Sequence, residues 1–527
     1  MRRPPVLAAL LAPLLLSAAP RSVLAHDAGY YALQARWIAQ GGQWLAPLWF
    51  GEPVFDRSIG AQWLMALSLQ LFGGASWAVE LPALLAAVIS LVLTGWLAGR
   101  LLPGQSVIAP LAALLLALNP LWLNYAHLAT QDMLLLAVEL GGIGALVASE
   151  PQGKPWWPLL AGLAPGLGFL IKGFMVALPV LAIAPFLGLE RRWLLRRWWF
   201  WLGLALGWLP VGLWLGASIH TYGLPVVAGL WNKLLFLSQA DVYAAGPLYY
   251  LWNIPANTAP WILPALAGWP LLWRSRLERR ARLVLLLYPL LLLLLLSGFR
   301  TKTPYYGLQL TPWIAMAAAV ALQRWSTATQ RWWRRIDGPI AAVGLVLVAA
   351  AAGLAWPSSP LQPLLATAEG IPAIPVLTVA ALGLGICWLV VPWQASGRRR
   401  LAALLLGPWL ALAVLTQAGL FSDRSPGLRL ALEAPGVQAE LRRSPIQAAA
   451  ARPLDGGEHA QLILLALATP NTPNRLLAPA AVAPGERVWI RRAELADPKQ
   501  WHIAVEAAAL RGWVLAERLP TPAGSPP

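Results

Sequence analysis

Ser22-Val23-Leu24-Ala25-His26-Asp27-Ala28-Gly29-Tyr30-Tyr31 ends one apolar run and opens a polar segment. The run it ends, Pro4 to Ala25, is long enough to cross a bilayer and is preceded by Arg2 and Arg3. A signal peptide with its cleavage site has the same form, so these residues decide between a secreted and an anchored chain. Because the residues just after the run look functional in relation to it, the run is read as an uncleaved first span. Asp27 then sits directly at its outer end.

Working outward, similar runs recur through most of the 527 residues. The chain is 58% hydrophobic and 12% charged, with a mean hydropathy of +0.61. A soluble domain carries about twice that charged fraction. Further spans are read at Trp77 to Leu101, Val107 to Leu123, Met133 to Ala148, Trp157 to Ile171, Phe174 to Leu189 and Trp198 to Ile219. Others are Leu248 to Trp273, Leu283 to Ser297, Tyr305 to Leu322, Pro339 to Trp356, Pro375 to Val391 and Leu401 to Leu420. The expectation is an all-α polytopic membrane protein of about thirteen transmembrane helices. The single Cys387, inside an apolar run, excludes a disulfide framework and a thiolate metal site.

A formal charge of +17 raises the question of nucleic acid, but the arginines cluster in short loops between apolar runs. No nucleic-acid partner is expected. Arg191 to Arg197, Arg274 to Arg282, Arg324 to Arg335 and Arg398 to Arg400 all fall on the side of Arg2 and Arg3. The positive-inside rule makes that side cytoplasmic. The C-terminal tail then lies outside a plasma or inner membrane. Residues 1–420 are expected to form the membrane domain and 421–527 a small extracytoplasmic α/β domain. In the tail, Leu462-Ile463-Leu464-Leu465 and Arg487-Val488-Trp489-Ile490 read as strands, and Trp501 to Leu515 as a further element. The loop 26–76 is unusually long for a connection between spans. Its Ala28 to Gln40 stretch reads as a helix, ended by Gly41-Gly42, that lies along the membrane surface, packs on the bundle, or does both.

Ionisable residues at the outer boundaries are candidates for function, since charges near a bilayer are costly. They are Asp27, Asp56, Arg57, Asp132, Lys172, Arg300 and Lys302. Each can also be read as an interfacial charge snorkelling to water. Lysine usage favours function: three of only five lysines lie in outer segments, against the positive-inside bias. A compact ammonium suits a phosphate oxygen, so an anionic lipid headgroup is the expected ligand. Moving a sugar from a phosphate to a hydroxyl needs a base for the acceptor proton and cations for the departing phosphate. Asp27 is placed to be that base, and Asp132 to orient the acceptor or hold a divalent metal. The metal requirement stays open, since two aspartates and scattered histidines make no metal pattern.

The stretches His26-Asp27-Ala28-Gly29-Tyr30-Tyr31-Ala32, Gly42-Gln43-Trp44-Leu45-Ala46-Pro47 and Gly51-Glu52-Pro53-Val54-Phe55-Asp56-Arg57 occur in that order. Gly246-Pro247-Leu248-Tyr249-Tyr250, Leu170-Ile171-Lys172-Gly173 and Lys302-Thr303-Pro304-Tyr305-Tyr306 lie further along the chain. Together they resemble the protein O-mannosyltransferase-like family (glycosyltransferase family 39-like), which includes the lipid A aminoarabinose transferases. The resemblance runs from about Met1 to Leu322 and is thinner afterwards. It implies a GT-C fold, an inverting hexosyl or pentosyl transfer and a polyprenyl-phosphate-linked sugar as donor. The acceptor would be a lipid, glycan or protein. It implies Asp27 as the catalytic aspartate and Asp132 at a second acidic position. Arg57, Lys172, Arg300 and Lys302 are then the expected phosphate-binding cations, and Tyr30, Asp56, Tyr305 and Tyr306 line the donor or acceptor pocket. Two departures stand out. Ala28 follows Asp27 where the family often has Glu, and Asp56-Arg57-Ser58 replaces an acidic-lysine-proline segment.

Two other functions suit a many-span chain. A lipid-linked-sugar transporter would show inverted repeats and broken helices at mid-membrane depth, whereas the charges here sit at boundaries. A scaffold would need no base at Asp27.

Overall fold

The computed structural model describes residues 13–14, 22, 24–104, 107–239, 245–328, 334–356, 373–471, 473–495 and 497–520. The expected first span, Pro4 to Ala25, lies almost wholly outside them. Among the described residues, eight helical stretches are long and apolar enough to cross a membrane, or nine with one bent pair. The chain is a multi-pass membrane protein. The stretch Trp156–Glu190 is 35 residues long and breaks at Gly173, whose φ of +57° suits a residue without a side chain. Before the break, Lys172 pairs with Asp132, at the start of the Gln131–Ala148 helix. After it, Arg191 donates to the carbonyls of Leu146 and Val147 near that helix's other end, at 3.0 and 3.1 Å. The chain therefore rises along Trp156–Lys172 and returns along Ala177–Glu190, as two spans.

Three expected spans are not single straight helices. Val107 to Leu123 is a pair, Ile108–Ala117 and Pro120–Ala126, bent by 66°. Pro120 cannot continue the preceding hydrogen-bond ladder, and the Asn119 side chain accepts from Trp122 N to start a new helix. Leu248 to Trp273 is divided at Ala259-Pro260 into Tyr249–Thr258 and Ile262–Arg274. Tyr305 to Leu322 begins as a tight helix, Pro304–Leu310, before Thr311–Thr327. Elsewhere small residues let backbones touch. Gly162 and Gly166 of Trp156–Lys172 face Gly203 and Gly207 of Trp198–Tyr222, where a Cβ would run into carbonyls of the partner helix. This small-residue spacing suits association inside a membrane, and it fixes the helix that ends in Lys172.

At the end of the bundle away from Lys172 the arginine clusters meet. Arg279 pairs with Glu190 at 3.3 Å. Arg400 pairs with the buried Asp337 at 3.3 Å, and Trp325 donates to the same carboxylate at 2.9 Å.

The opposite end is covered by the first loop and the tail. In the loop, β1 (Leu48–Trp49) and β2 (Glu52–Pro53) form a short antiparallel ribbon. The tail holds β3 (Ile446–Ala449), β4 (Leu476–Leu477), β5 (Arg487–Arg491), β6 (Trp501–Glu506) and β7 (Trp513–Arg518). They form one mixed sheet in the order β4-β3-β5-β7-β6, with Trp489 opposite Leu515 in its core. Arg487 to Ile490 is a strand as expected, and Trp501 to Leu515 holds β6 and the start of β7. Leu462-Ile463-Leu464-Leu465 is instead helical, within Gly456–Ala468. Asp455 and Glu458 cap that helix reciprocally, and its buried residues Leu462, Ile463, Leu465 and Ala466 follow helical spacing.

Between bundle and sheet lies the Tyr30–Gly41 helix of the first loop, ended by Gly42 at a φ of +69°. Tyr31, Ala35 and Ile38 join the bundle core, while Leu33 and Trp37 join the core of the sheet layer. The helix is thus packed on both sides, as the reading of it as a helix packed on the bundle expects.

Candidate active site

Asp27 occupies a turn, Ala25–Gly29, in which Gly29 N donates to Leu24 O at 2.7 Å. Its φ of +53° is the left-handed region, which costs a residue with a side chain of order 1–3 kcal/mol. The surroundings enforce it. Gly29 packs so closely that an added Cβ would lie 2.8 Å from Ile463 Cγ2 and 3.0 Å from Leu24 O. The next helix is tied to the tail by Arg36, which donates to Leu467 O at 2.6 Å, and by Trp37, which donates to Pro473 O at 3.0 Å.

The turn opens onto a cavity of about 460 Å³ at the end of the bundle away from the arginine clusters. Asp27, Tyr30, Asp56, Arg57, Lys172, Tyr305 and Tyr306 all line it. Arg57 donates from Nε to Asp56 Oδ1 at 2.9 Å and pairs with the other carboxylate oxygen. Its guanidinium lies 4.6 Å from the Tyr30 ring centre and 4.9 Å from that of Tyr31. The plane is therefore fixed by a fork and two rings, an arrangement lysine could not make. Lys172 is ion-paired with Asp132 and sits 5.1 and 5.3 Å from the ring centres of Tyr305 and Tyr306. Tyr31 donates to Gln131 Oε1 at 3.2 Å, and Gln131 donates to Ser58 O at 3.4 Å. These bonds tie the first loop to the helix that carries Asp132.

Burial pushes the Asp27 carboxyl above the usual carboxylate range, and the neighbouring Asp132 charge adds to the rise. Lys172, Arg57 and His26 oppose it. The Asp56 carboxyl is held down, because its bond and charge contact with Arg57 outweigh burial, the largest single influence on it.

Two expected cations are elsewhere. Lys302 is buried, and its ammonium donates to Ser297 O at 2.8 Å and to Phe299 O, closing the end of the Tyr288–Gly298 helix. Arg300 is exposed and is not among the residues lining the cavity. In their place stands Lys233, on the Pro225–Gln239 helix. Burial lowers its pKa, and so does Arg57, while Asp56 and Asp27 raise it. The sequence marked Lys233 as one of three outer lysines without giving it a role. Tyr31 and Gln131 also line the cavity, and as uncharged residues beside charged ones they carried no separate signal. No group of three His, Cys, Asp or Glu able to hold one metal ion occurs among the described residues.

Comparison with known proteins bears on the fold and on parts of the sequence. The sequence profile of the family described as dolichyl-phosphate-mannose-protein mannosyltransferase matches residues 56–215. The crystal structure of ArnT from Cupriavidus metallidurans bound to undecaprenyl phosphate superposes with a TM-score of 0.77. The match covers 97% of both chains at 18% identity. The chain has the GT-C fold of that structure, and parts of its sequence are similar to aminoarabinose transferases.

An undecaprenyl phosphate-alpha-4-amino-4-deoxy-L-arabinose arabinosyl transferase of Edwardsiella ictaluri is 33% identical over 172 residues, 32% of this chain and 31% of that one. Its namesake from an Enterobacter species is 25% identical over 358 residues, 64% of this chain and 63% of that one. These sequence matches span from 31% to 63% of the curated relatives' lengths. An oligosaccharyltransferase from Archaeoglobus fulgidus shares the fold more distantly, with a TM-score of 0.51 at 13% identity, over 91% of this chain and 65% of that one.

Proposed function

We propose that this chain is an integral membrane glycosyltransferase that takes a sugar from a polyprenyl phosphate at the extracytoplasmic face. One observation carries the reading: a carboxylate in an enforced turn, Asp27, shares a cavity with Arg57, Lys172 and Lys233. A scaffold has no use for that arrangement, and the charges stay at the outer end of the bundle rather than along a path through it. In this reading the arginine-rich end is cytoplasmic, in a plasma or inner membrane. Residues 1–420 form the transferase domain, and 421–527 an extracytoplasmic domain that roofs the site.

The chemistry follows from the groups present. The Asp27 carboxylate takes the proton of an acceptor hydroxyl as its oxygen attacks the anomeric carbon. The bond from that carbon to the phosphate oxygen breaks with its electron pair, and the configuration inverts. Charge growing on the departing phosphate is met by Arg57, Lys172 and Lys233. Lys172 is shared with Asp132, so a donor phosphate competes with that carboxylate for the ammonium. Tyr30, Tyr305 and Tyr306 supply the walls against which a sugar ring stacks. The relatives' names make an aminopentose on undecaprenyl phosphate the first donor to test.

The experiment is lipid mass spectrometry of cells lacking the protein, complemented with wild type or Asp27→Asn. A polyprenyl-phosphate sugar is expected to accumulate without the protein and to be cleared by wild type alone. Purified Asp27→Asn is expected to lose on the order of 10²–10⁴-fold in transfer rate. Normal lipids in the complemented mutant would remove Asp27 from the reaction.

A further inference from the structure

A second cavity, of about 840 Å³, opens along the flank of the bundle between Ile262–Arg274 and the Leu283–Gly298 segment. Its walls are almost wholly apolar, among them Leu266, Trp269, Leu286 and Leu290, but Arg274 and Arg282 stand at one end. That end is the arginine-rich one, away from the catalytic cavity.

Of the neighbouring arginines, Arg279 is paired with Glu190 and Arg280 with Glu278. Among the described residues, Arg274 and Arg282 have no carboxylate partner, and Arg282 donates only to Ser275 O at 3.3 Å. Trp273, strongly exposed beside Arg274, is the kind of residue that settles at headgroup level. An apolar channel ending in two unneutralised guanidinium groups matches one chemical shape, a hydrocarbon chain ending in a phosphate. Basic pockets between helices at the cytoplasmic surface hold anionic lipid headgroups in this way. A polyprenyl tail threaded from the catalytic cavity would fill the channel but offer nothing to the arginines.

We propose that this groove binds an anionic phospholipid, its acyl chain along Leu266, Leu286 and Leu290 and its phosphate between Arg274 and Arg282. The lipid is a bound component distinct from donor and acceptor. It braces the divided Tyr249–Arg274 segment, whose halves meet at Ala259-Pro260.

The test is native mass spectrometry of the full chain in a neutral detergent, with phosphatidylglycerol, phosphatidylcholine and undecaprenyl phosphate added at equal concentration. The wild type is expected to retain phosphatidylglycerol over phosphatidylcholine by on the order of tenfold. R274Q/R282Q removes that preference. L286W, which fills the groove and leaves the charges alone, lowers phosphatidylglycerol retention independently of the arginines. Absence of the preference in the wild type, or its survival in both variants, overturns the proposal. Displacement of phosphatidylglycerol by undecaprenyl phosphate also overturns it, and gives the groove to the donor's tail.

Discussion

Ile463 of the tail presses on Gly29 of the first loop, so that a Cβ on the glycine would come within 2.8 Å of Ile463 Cγ2. The contact joins residues far apart in sequence and sits two positions from Asp27. The backbone turn that presents the proposed base is therefore gripped by the sheet layer rather than by its own neighbours alone.

Gly29→Ala should accordingly displace Asp27 and lower kcat with little change in donor affinity. Overpacking of this kind costs about 1–3 kcal/mol. Ile463→Ala in the same chain should restore part of the loss, because it clears the clash with the tail but not that with Leu24 O. A double-mutant cycle on kcat measures the coupling, and additive effects would show that the contact does not reach Asp27.

The acid limb of the pH–rate profile should move with the charges around Asp27. A general base works deprotonated, so a raised pKa places that limb at higher pH. Asp132→Asn removes a charge that raises the Asp27 pKa and frees Lys172, which lowers it. The limb should shift to lower pH. Lys172→Met does the reverse, leaving Asp132 unneutralised, and should shift it to higher pH. Profiles of kcat/KM for the two variants check both signs.

Arg57→Lys keeps the charge but loses the fork to Asp56 and the fit between Tyr30 and Tyr31. The expected loss is roughly a few-fold to tenfold in kcat/KM, carried by KM for the donor. Donor titrations against wild type measure it.

Arg400→Met should destabilise the bundle, because it strands the Asp337 carboxylate in a buried place. Removing one partner of such a pair costs roughly 3–5 kcal/mol, whereas replacing both is far less damaging. Thermal unfolding in detergent should therefore rank Asp337→Leu/Arg400→Met above Arg400→Met alone.

Much of the site can be read from the chain because its charges stand at the ends of apolar runs or in the long first loop, where they are conspicuous. Asp27, Asp56, Arg57 and Lys172 share one cavity for that reason. Lys302 shows the limit of the argument. It also stands at such an end, but the carbonyls closing the Tyr288–Gly298 helix capture its ammonium. Whether a boundary cation faces the ligand or caps a helix depends on local geometry that spacing does not encode. In the fold, the bend at Asn119-Pro120 and the reciprocal cap of Asp455 and Glu458 were both written in local sequence. Long apolar runs outweighed the first, and four consecutive apolar residues mimicked a strand at the second.

The grip of the tail on the Asp27 turn also sets a time. Asp423 accepts from Ser22 N at 3.1 Å across 401 positions, and Arg36 and Trp37 reach carbonyls 431 and 436 positions later. At about 5–20 residues per second, those partners leave the ribosome on the order of tens of seconds after the turn they complete. Until the tail has been made and has closed its sheet, the contacts that hold the Asp27 turn are missing, so on the proposed reading a chain still being made has no working base.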